Sequence, residues 1–407
     1  MKPAPQIRLA LHAVARMRPE RPMHRFIVRL STLSVAAIAS SAVACRQFPT
    51  SHPSNDMERQ GREIFRYDTF GDEQFWTDTA RLNEVVLNDV PPLTALGLGL
   101  KVDMDRLNLA KFLIHNPFGT WGTKELLREN AVVGVKATFD KDGHMTRIGI
   151  TCALCHSTVD NALLPGIGHR LDGWPNRDLK VGRILAMLPI YTDAQKAVLR
   201  SWPTGTYDPR FNFDGKSTPL VLPPAHGLAD VKNETYTAEG PISYWNAYVA
   251  VTQMHGHGNF NDDRLGVHIV QEPDMVTGKL APLRAYQHSI PAPPTPGAFY
   301  DAGAARRGKV VFDANCASCH VDGRLTDNNN GVLHAASETG MDSTYAARTT
   351  QKRYRTTPLR GLWQHAPYFH DGSAKTLDDV VEHYVRVRGL HLSGGQKRDL
   401  VQYLKSL

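Results

Sequence analysis

Two copies of one short motif constrain this 407-residue chain more than any other feature. In each copy two cysteines are separated by two residues and followed at once by a histidine: CALCH at 152–156 and CASCH at 316–320. This spacing lets both thiols form thioether bonds to one haem while the histidine binds its iron. We therefore predict two covalently bound haem c groups. The predicted attachment residues are Cys152, Cys155, Cys316 and Cys319, and the predicted iron ligands are His156 and His320.

Other uses of these cysteines fit less well. A zinc site would need two more soft ligands for each pair, and Cys45 is the only cysteine that remains. A thioredoxin-like redox pair would be a single motif in a βαβ setting, without the histidine. With four of the five cysteines bound to haem, no disulfide is expected within the mature chain.

The first 44 residues differ from the rest in charge and hydropathy. They carry seven basic residues and one acid, which is +6 of the net charge of +7. The uncharged run LSTLSVAAIASSAVA follows the basic residues and is shorter than the roughly 20 residues of a spanning helix. It ends in Ala42-Val43-Ala44, which is typical of a signal-peptidase site.

We therefore predict residues 1–44 to be an export signal, with Met23 as an alternative start, and a periplasmic location for the mature protein. Cys45, directly after the predicted cleavage site, is a candidate lipid anchor. The remaining chain is near neutral, so its charge gives no support for a nucleic-acid partner.

A proline-rich segment, SIPAPPTPG at 289–297, cannot continue a helix and suits a stiff linker. We predict a linker over 290–300 that separates an N-terminal haem c domain, 45–289, from a C-terminal cytochrome c domain, 301–407. In the C-terminal domain the predicted helices cover 304–319, 376–387 and 393–407.

The N-terminal region lacks a compact cytochrome pattern. Short helices are predicted over 81–86, 123–130, 179–188 and 192–199, and an extended loop over 203–240. A β-hairpin is predicted to turn at Asp142-Gly143. The predicted fold class is mainly α, with two cytochrome c-like haem domains, long loops and at most a minor β-hairpin.

The segment after the second motif resembles the C-terminal signature of di-haem cytochrome c peroxidases. The resemblance is carried by RTTPLRGLW at 355–363, APYFHDGS at 366–373 and TLDDVVEHY at 376–384. The same superfamily includes the di-haem enzyme that matures methylamine dehydrogenase. The N-terminal half, with GREIF at 61–65 and residues 149–178, is more similar to an atypical branch that includes di-haem rubber oxygenases.

The resemblance implies ligands that depart from the peroxidase pattern. Tyr384 stands where the peroxidases have a distal methionine, as in the methylamine-dehydrogenase-maturing enzyme, where a tyrosine binds the iron. His383 and His370 are the alternatives. The family also holds a calcium ion between the haems, mostly through backbone oxygens near the signature, and here His365 precedes Pro367 by two residues.

Near the first haem, His255 stands where the family often has a tryptophan between the haems, and Trp174 and Trp245 are candidate substitutes. The candidate distal groups at this haem are His255, His257 and His169. Glu272 is the best acidic candidate for the base that peroxide reduction needs.

Arg360 is a candidate partner for a haem propionate, since arginine pairs well with carboxylates.

These features predict a peroxidase. Hydrogen peroxide would be reduced at the first haem, with Glu272 and His255 as catalytic residues. Electrons would enter through the second haem from a small cytochrome c or cupredoxin. The alternatives are a dioxygen-using oxygenase or protein-modifying oxidase, and a non-catalytic electron-transfer cytochrome. A homodimer is compatible with the resemblance.

Overall fold

Helices carry most of the architecture in the part of the chain that the computed structural model describes, residues 53–108, 110, 119–321 and 323–407. The predicted export signal, 1–44, and Cys45 lie outside these residues. The strands are short, and the mainly α fold class is confirmed. The described α-helices are α1 (Asp56–Tyr67), α2 (Leu82–Asp89), α3 (Pro92–Gly97), α4 (Thr120–Arg128), α5 (Ala153–His156), α6 (Val181–Leu185), α7 (Asp193–Arg200), α8 (Phe211–Asp214), α9 (Ile242–Tyr248), α10 (Leu280–Ser289), α11 (Ala302–Asn315), α12 (Ala336–Thr339), α13 (Leu377–Arg388) and α14 (Gly394–Ser406).

The strands form five separate pairs rather than one sheet. They are β1 (Val102–Asp103), β2 (Val135–Phe139), β3 (Met145–Ile150), β4 (Ser157–Val159), β5 (Ile167–Gly168), β6 (Arg170–Asp172), β7 (Thr206–Tyr207), β8 (Leu220–Val221), β9 (Phe260–Asp262) and β10 (Val267–Ile269). Strands β2 and β3 form the predicted antiparallel hairpin. Strands β4–β6, β7–β8 and β9–β10 are also antiparallel, and β1–β5 is parallel.

The C-terminal unit is closed by the crossing of α11 and α14. Phe312 and Val311 on α11 are buried in one cluster with Leu400 and Leu404 on α14. Gly308 lies at the crossing, where a Cβ would collide with the backbone carbonyl of Asp399. The missing side chain therefore lets the two helix backbones come close together.

The last two helices begin where the sequence predicts. Thr376 accepts a hydrogen bond from the backbone N–H of Asp379, and Ser393 accepts one from Gln396. In each case the side chain three residues into the helix returns a bond to the cap residue. Both helix starts are therefore fixed by capping boxes that are visible in the sequence.

The N-terminal unit repeats the same crossing with helices α1 and α10, neither of which the sequence analysis predicted. A Cβ at Gly61 would collide with the carbonyl oxygen of Pro282, and the fully buried Phe65 packs edge-on against Tyr286 with ring centroids 5.6 Å apart. Gly61-x-x-x-Phe65 and Gly308-x-x-x-Phe312 are one pattern used twice. This repeat is the signal that would have predicted α1 as the counterpart of α11.

The two units differ in the distance from the first helix to the haem motif. Helix α11 ends at Asn315, next to Cys316, whereas residues 68–151 separate α1 from Cys152. The described part of this insertion contributes α2, α4 and the β2–β3 hairpin to a second hydrophobic cluster. No helix in the described ranges is long and apolar enough to cross a membrane.

Ion pairs link the N-terminal and C-terminal parts of the chain. Arg348, whose side chain is 3% exposed, donates to Asp208 at 2.8 Å and to Asp214 at 2.8 Å. Two carboxylates around one buried guanidinium satisfy its charge, so this contact holds the loop after α12 against β7 and α8.

Candidate haem sites

The first motif lies on the single-turn helix α5. The backbone N–H of Asn176 donates to the carbonyl of Cys155 at 2.9 Å, and Gly173 donates to that of His156 at 2.8 Å. The His156 ring donates through Nδ1 to the carbonyl of Pro223 at 3.1 Å. Since a carbonyl can only accept, Nδ1 carries the proton and Nε2 keeps its lone pair for a metal ion.

The second motif has the same imidazole arrangement. Cys316–His320 forms a turn at the end of α11, and His320 donates through Nδ1 to the carbonyl of Leu325 at 2.9 Å. Both histidines therefore carry the neutral tautomer of an Nε2 iron ligand, and in each case a backbone carbonyl fixes the ring.

The four motif cysteines form no disulfide with one another or with any other described residue. Burial raises the pKa of Cys152 and of Cys155 to about 12, and that of Cys316 to about 11. Redox-active Cys-x-x-Cys pairs have a lowered thiol pKa. The raised pKa of Cys152, Cys155 and Cys316 therefore gives no support to a dithiol oxidoreductase.

One alternative metal site involves the second motif. Within the described ranges, ligand atoms of Cys319, Asp327 and His334 lie within 4.8 Å of one another. Both ring nitrogens of His334 already face carboxylates, Asp327 at 2.9 Å and Glu338 at 3.1 Å. Burial opposes protonation, but the hydrogen bonds that the ring donates to these two carboxylates outweigh it and raise the pKa of His334. Since both ring nitrogens of His334 are already engaged by carboxylates, this cluster does not compete with haem for Cys319.

The two motifs line one continuous cavity of about 560 Å³. Its wall also includes Arg177, whose Nε and Nη1 atoms are buried and have no hydrogen-bond partner among the described residues. A buried guanidinium without an anion is costly, and a haem propionate would satisfy it. The paired thiols, the oriented imidazoles and this unsatisfied cation fit two covalent haems.

Arg360, the arginine that the sequence analysis selected for a propionate, is already engaged. Its guanidinium binds both carboxylate oxygens of Asp230, at 2.6 and 2.9 Å, and the carbonyl of Gly227 at 2.7 Å. Arg177 is therefore the better propionate partner. No sequence signal marks Arg177, because a missing counter-ion is visible only in the fold.

Of the three candidate sixth ligands at the second haem, Tyr384 and His370 line the cavity. The Tyr384 hydroxyl makes no hydrogen bond within the described residues, and burial raises the pKa of Tyr384 to about 12. His370 Nε2 instead lies 3.1 Å from the Tyr354 hydroxyl. His383 Nε2 lies 2.8 Å from the carbonyl of Thr339, which holds that ring by a bond to backbone. Tyr384 is therefore the candidate whose ligand atom has no competing hydrogen-bond partner among the described residues.

At the first haem, His255 lines the cavity and stacks on Phe75, with ring centroids 3.7 Å apart. Its backbone is left-handed, with φ of 63°, which is uncommon for a side chain of this size. Desolvation by the surrounding protein lowers the pKa of His255, so the imidazole is neutral at pH 7. Trp245 also lines the cavity.

Three predicted residues do not reach the cavity. Glu272 is exposed, so the structure gives the predicted catalytic base no contact with the haem site. His169 pairs with Asp105 at 2.8 Å. The Nε2 atom of His257 is buried without a hydrogen-bond partner, and this histidine is not part of the cavity wall.

A buried acid that the sequence analysis missed, Glu234, lines the cavity instead. It is 5% exposed, its Oε1 atom has no partner, and Oε2 lies 3.4 Å from Arg355. Burial raises the pKa of Glu234, although Arg355 opposes the shift. No local motif marks this glutamate, because its position depends on a bridge between Glu234 and Gly240.

Trp174, the other candidate for the tryptophan between the haems, contacts residues from both halves of the chain. Its ring lies edge-on to Trp363 at 5.7 Å and to His226 at 6.4 Å. His226 in turn lies 6.0 Å from His365. This aromatic group joins the loop after the first motif to the signature segment after the second.

Comparisons with known proteins identify relatives of this chain. Residues 353–389 match the family described as RoxA-like, cytochrome c-like. The chain is 30% identical over 318 residues to the methylamine utilization protein MauG of Methylophilus methylotrophus, which covers 69% of this chain and 83% of that protein. It is 25% identical over 304 residues to the protein of the same name from Methylorubrum extorquens, covering 69% and 79%.

Among solved structures, hydrazine synthase of Kuenenia stuttgartiensis has a TM-score of 0.37 and 19% identity, covering 51% of this chain and 78% of that chain. The long match to MauG and the two haem motifs lead to one conclusion. The chain belongs to the di-haem cytochrome c peroxidase superfamily and is a di-haem c-type cytochrome with the oxidoreductase character of its MauG relatives.

Proposed function

We propose that this protein is an exported peroxidase. In this proposal hydrogen peroxide is reduced to water at the haem bound by His156, and electrons enter at the haem bound by His320. The observation that carries the proposal is the shared cavity, because both motifs line it together with a neutral imidazole, His255, and a phenol, Tyr384.

Haem iron supplies the site where peroxide binds and its oxygen–oxygen bond is cleaved. The protein must accept the first peroxide proton and return it to the leaving oxygen. A neutral imidazole can do both, which supports His255 in this role. Gln253 lines the same cavity and is held by the Tyr207 hydroxyl, whose oxygen lies 2.6 Å from Gln253 Oε1, so its amide is a fixed polar group.

A peroxide titration of the holoprotein tests the proposal. We expect a high-spin component in the oxidised or half-reduced spectrum, a fast change of haem absorbance with peroxide, and oxidation of two equivalents of reduced cytochrome c per peroxide. Two permanently low-spin haems without a peroxide response would refute the proposal and leave the electron-transfer cytochrome.

The same titration on Tyr384→Phe tests the assignment of the two haems. Loss of a ligand at the second haem should change the low-spin spectrum while the peroxide-binding high-spin signal is kept. If the high-spin signal changes instead, Tyr384 belongs to the peroxide site and the assignment is wrong.

Tyr384 also favours a second candidate function. A phenolate ligand lowers the potential of a haem relative to methionine, which makes a simple high-potential electron entry less suitable. An oxygenase or protein-modifying oxidase is therefore the alternative. Rapid binding of dioxygen to the reduced protein, without turnover of peroxide, would identify it.

The proposed periplasmic location follows from the predicted signal in residues 1–44. Osmotic-shock fractionation of cells should release a protein whose N-terminus begins near Cys45. Retention in the membrane fraction, with a lipid-modified Cys45 found by mass spectrometry, would indicate the lipoprotein form. A protein that stays with the cytoplasm would contradict export.

A further inference from the structure

Residues 173–177, the segment directly after strand β6, contact both the first haem motif and the C-terminal part of the chain. Its backbone is attached to the motif, because Gly173 and Asn176 donate to the carbonyls of His156 and Cys155 at 2.8 and 2.9 Å. Its side chains reach the other half of the chain, since Trp174 packs edge-on against Trp363. Arg177 is the cationic residue of this segment. Its guanidinium therefore belongs to a segment that contacts both the N-terminal and the C-terminal parts of the chain.

Arg177 differs from Arg355 and Arg360, the other two arginines of the cavity wall that are shielded from solvent, in having no anion; Arg388 is exposed. Arg360 forms a two-pronged pair with Asp230, and Arg355 faces Glu234. Arg177 makes no ion pair with any carboxylate of the described residues, and its Nε and Nη1 atoms are buried and unsatisfied. Uncompensated burial of a guanidinium is strongly unfavourable, so the folded holoprotein must supply an anion there.

The cavity identifies the chemical class of that anion. Arg177 faces the space shared by both motifs, and each haem brings two propionate carboxylates into it. A planar guanidinium binds a carboxylate through two parallel hydrogen bonds. Haem propionate is therefore the anion that the covalent cofactors themselves would provide.

The groups around Arg177 also bear on the calcium ion that the family resemblance implies between the haems. His365, two residues before Pro367, is a buried imidazole whose Nε2 atom has no partner. It lies within electrostatic reach of Arg177 and of His226, and its ring centroid is 6.0 Å from that of His226. Calcium binds six to eight oxygens, usually with carboxylates among them. The family holds this ion mostly through backbone oxygens, but the unpaired positive charge of Arg177, within electrostatic reach of His365, would repel a divalent cation.

We propose that Arg177 binds a haem propionate between the two haems and supplies the positive charge there, so that this protein holds no calcium ion at that position. The proposal depends on the two haems and not on the peroxidase activity. A fixed cation beside a haem favours the reduced iron, which carries one positive charge less, and so raises its midpoint potential.

The test uses the purified di-haem protein. Calcium per chain is measured by inductively coupled plasma mass spectrometry, and both midpoint potentials by spectroelectrochemical titration, before and after dialysis against EGTA. We expect no stoichiometric calcium and no change of either potential. One calcium ion per chain, whose removal shifts the spectrum or a potential, would overturn the proposal.

Variants test Arg177 directly. Arg177→Gln should keep two haems per chain, counted by the pyridine haemochrome assay, but show a lower midpoint potential for at least one haem. Arg177→Lys keeps the charge and should give a smaller shift. Arg306→Gln, an exposed arginine on α11, is the matched control and should leave both potentials unchanged.

Two results would refute the role of Arg177. Unchanged potentials in Arg177→Gln would show that no propionate depends on this charge. If Arg177→Gln does not accumulate with haem, Arg177→Lys must restore two haems per chain. Failure of the lysine variant as well would show that the shape of the arginine matters for folding, and not its charge.

Discussion

Replacing Asp172 by asparagine should separate the first haem motif from the helix crossing that supports it. The Asp172 carboxylate accepts hydrogen bonds from Arg66 on α1 at 2.5 Å, from Tyr286 on α10 at 2.6 Å, and from Ser157, next to the iron ligand His156, at 2.8 Å. One buried group therefore joins both crossing helices to the motif.

The expected loss of stability follows from the Arg66 charge that Asp172→Asn leaves unpaired. The side chain of Asp172 is 2% exposed and that of Arg66 is 22% exposed, so solvent cannot replace the lost anion. Breaking a buried pair by neutralising one partner costs about 3–5 kcal/mol. For a chain of this size each kcal/mol lowers the melting temperature by about 2 °C, so we expect a decrease of roughly 6–10 °C.

The assays are thermal unfolding and guanidinium unfolding of the holoprotein, followed by far-ultraviolet circular dichroism and by the Soret band. Asp313→Asn, which breaks the exposed pair with Lys309 (57% and 52% exposed), is the control and should cost less than about 1 kcal/mol. The reasoning is refuted if Asp172→Asn is no more destabilising than Asp313→Asn. Adding Arg66→Met to Asp172→Asn should recover part of the loss, because no buried charge then remains unpaired.

The stability that the Asp172 carboxylate contributes should change with pH in a predictable direction. Burial alone would raise the pKa of Asp172, but the charges of Arg66 and Arg170 and the hydrogen bonds from Tyr286 and Ser157 lower it. A lowered folded-state pKa stabilises the protein above the unfolded pKa of about 4, and this stabilisation is lost as the pH falls through the folded pKa. Asp172→Asn should therefore weaken the acid sensitivity of the fold.

Three further outcomes are expected. If His255 is the base, His255→Ala should slow the reaction with peroxide by about 10²–10⁴-fold in stopped-flow measurements, and a rate within twofold of wild type would exclude this role. The rate of the wild-type protein should decline only at acid pH, because the pKa of His255 is lowered. Tyr384→Phe should raise the midpoint potential of the second haem, and an unchanged potential would exclude Tyr384 as a ligand. Gly308→Ala should destabilise the C-terminal unit by about 1–3 kcal/mol or more in chemical denaturation, since its Cβ would collide with the Asp399 carbonyl, whereas Gly297→Ala, in open space, should not.

The sequence predicts the haem chemistry well because that chemistry is local. Each haem motif is five consecutive residues, and the caps Thr376 and Ser393 act within one helical turn. Tyr384 could be selected because it stands at a fixed distance inside the signature that includes Thr376. The structure adds that its hydroxyl faces the cavity without a competing partner.

The sequence predicts poorly whatever depends on contacts across the fold. Helix α10 contains a proline and only a weak apolar pattern, so it gains its stability from packing on α1. Glu272 was selected by its distance along the chain, and the fold exposes it. Arg177 gave no signal, because an arginine with a partner and one without look alike in a sequence.

The repeated glycine crossing has a consequence for the order in which the two haem units form. Contact between Gly308 and Asp399 closes a loop of 91 residues, whereas contact between Gly61 and Pro282 closes one of 221. The longer loop costs about 0.8 kcal/mol more chain entropy, and its first helix must wait for a partner made much later. Native contacts should therefore appear first around the haem nearer the C-terminus, and the N-terminal unit, with its large insertion, should be the slower part of the molecule to mature.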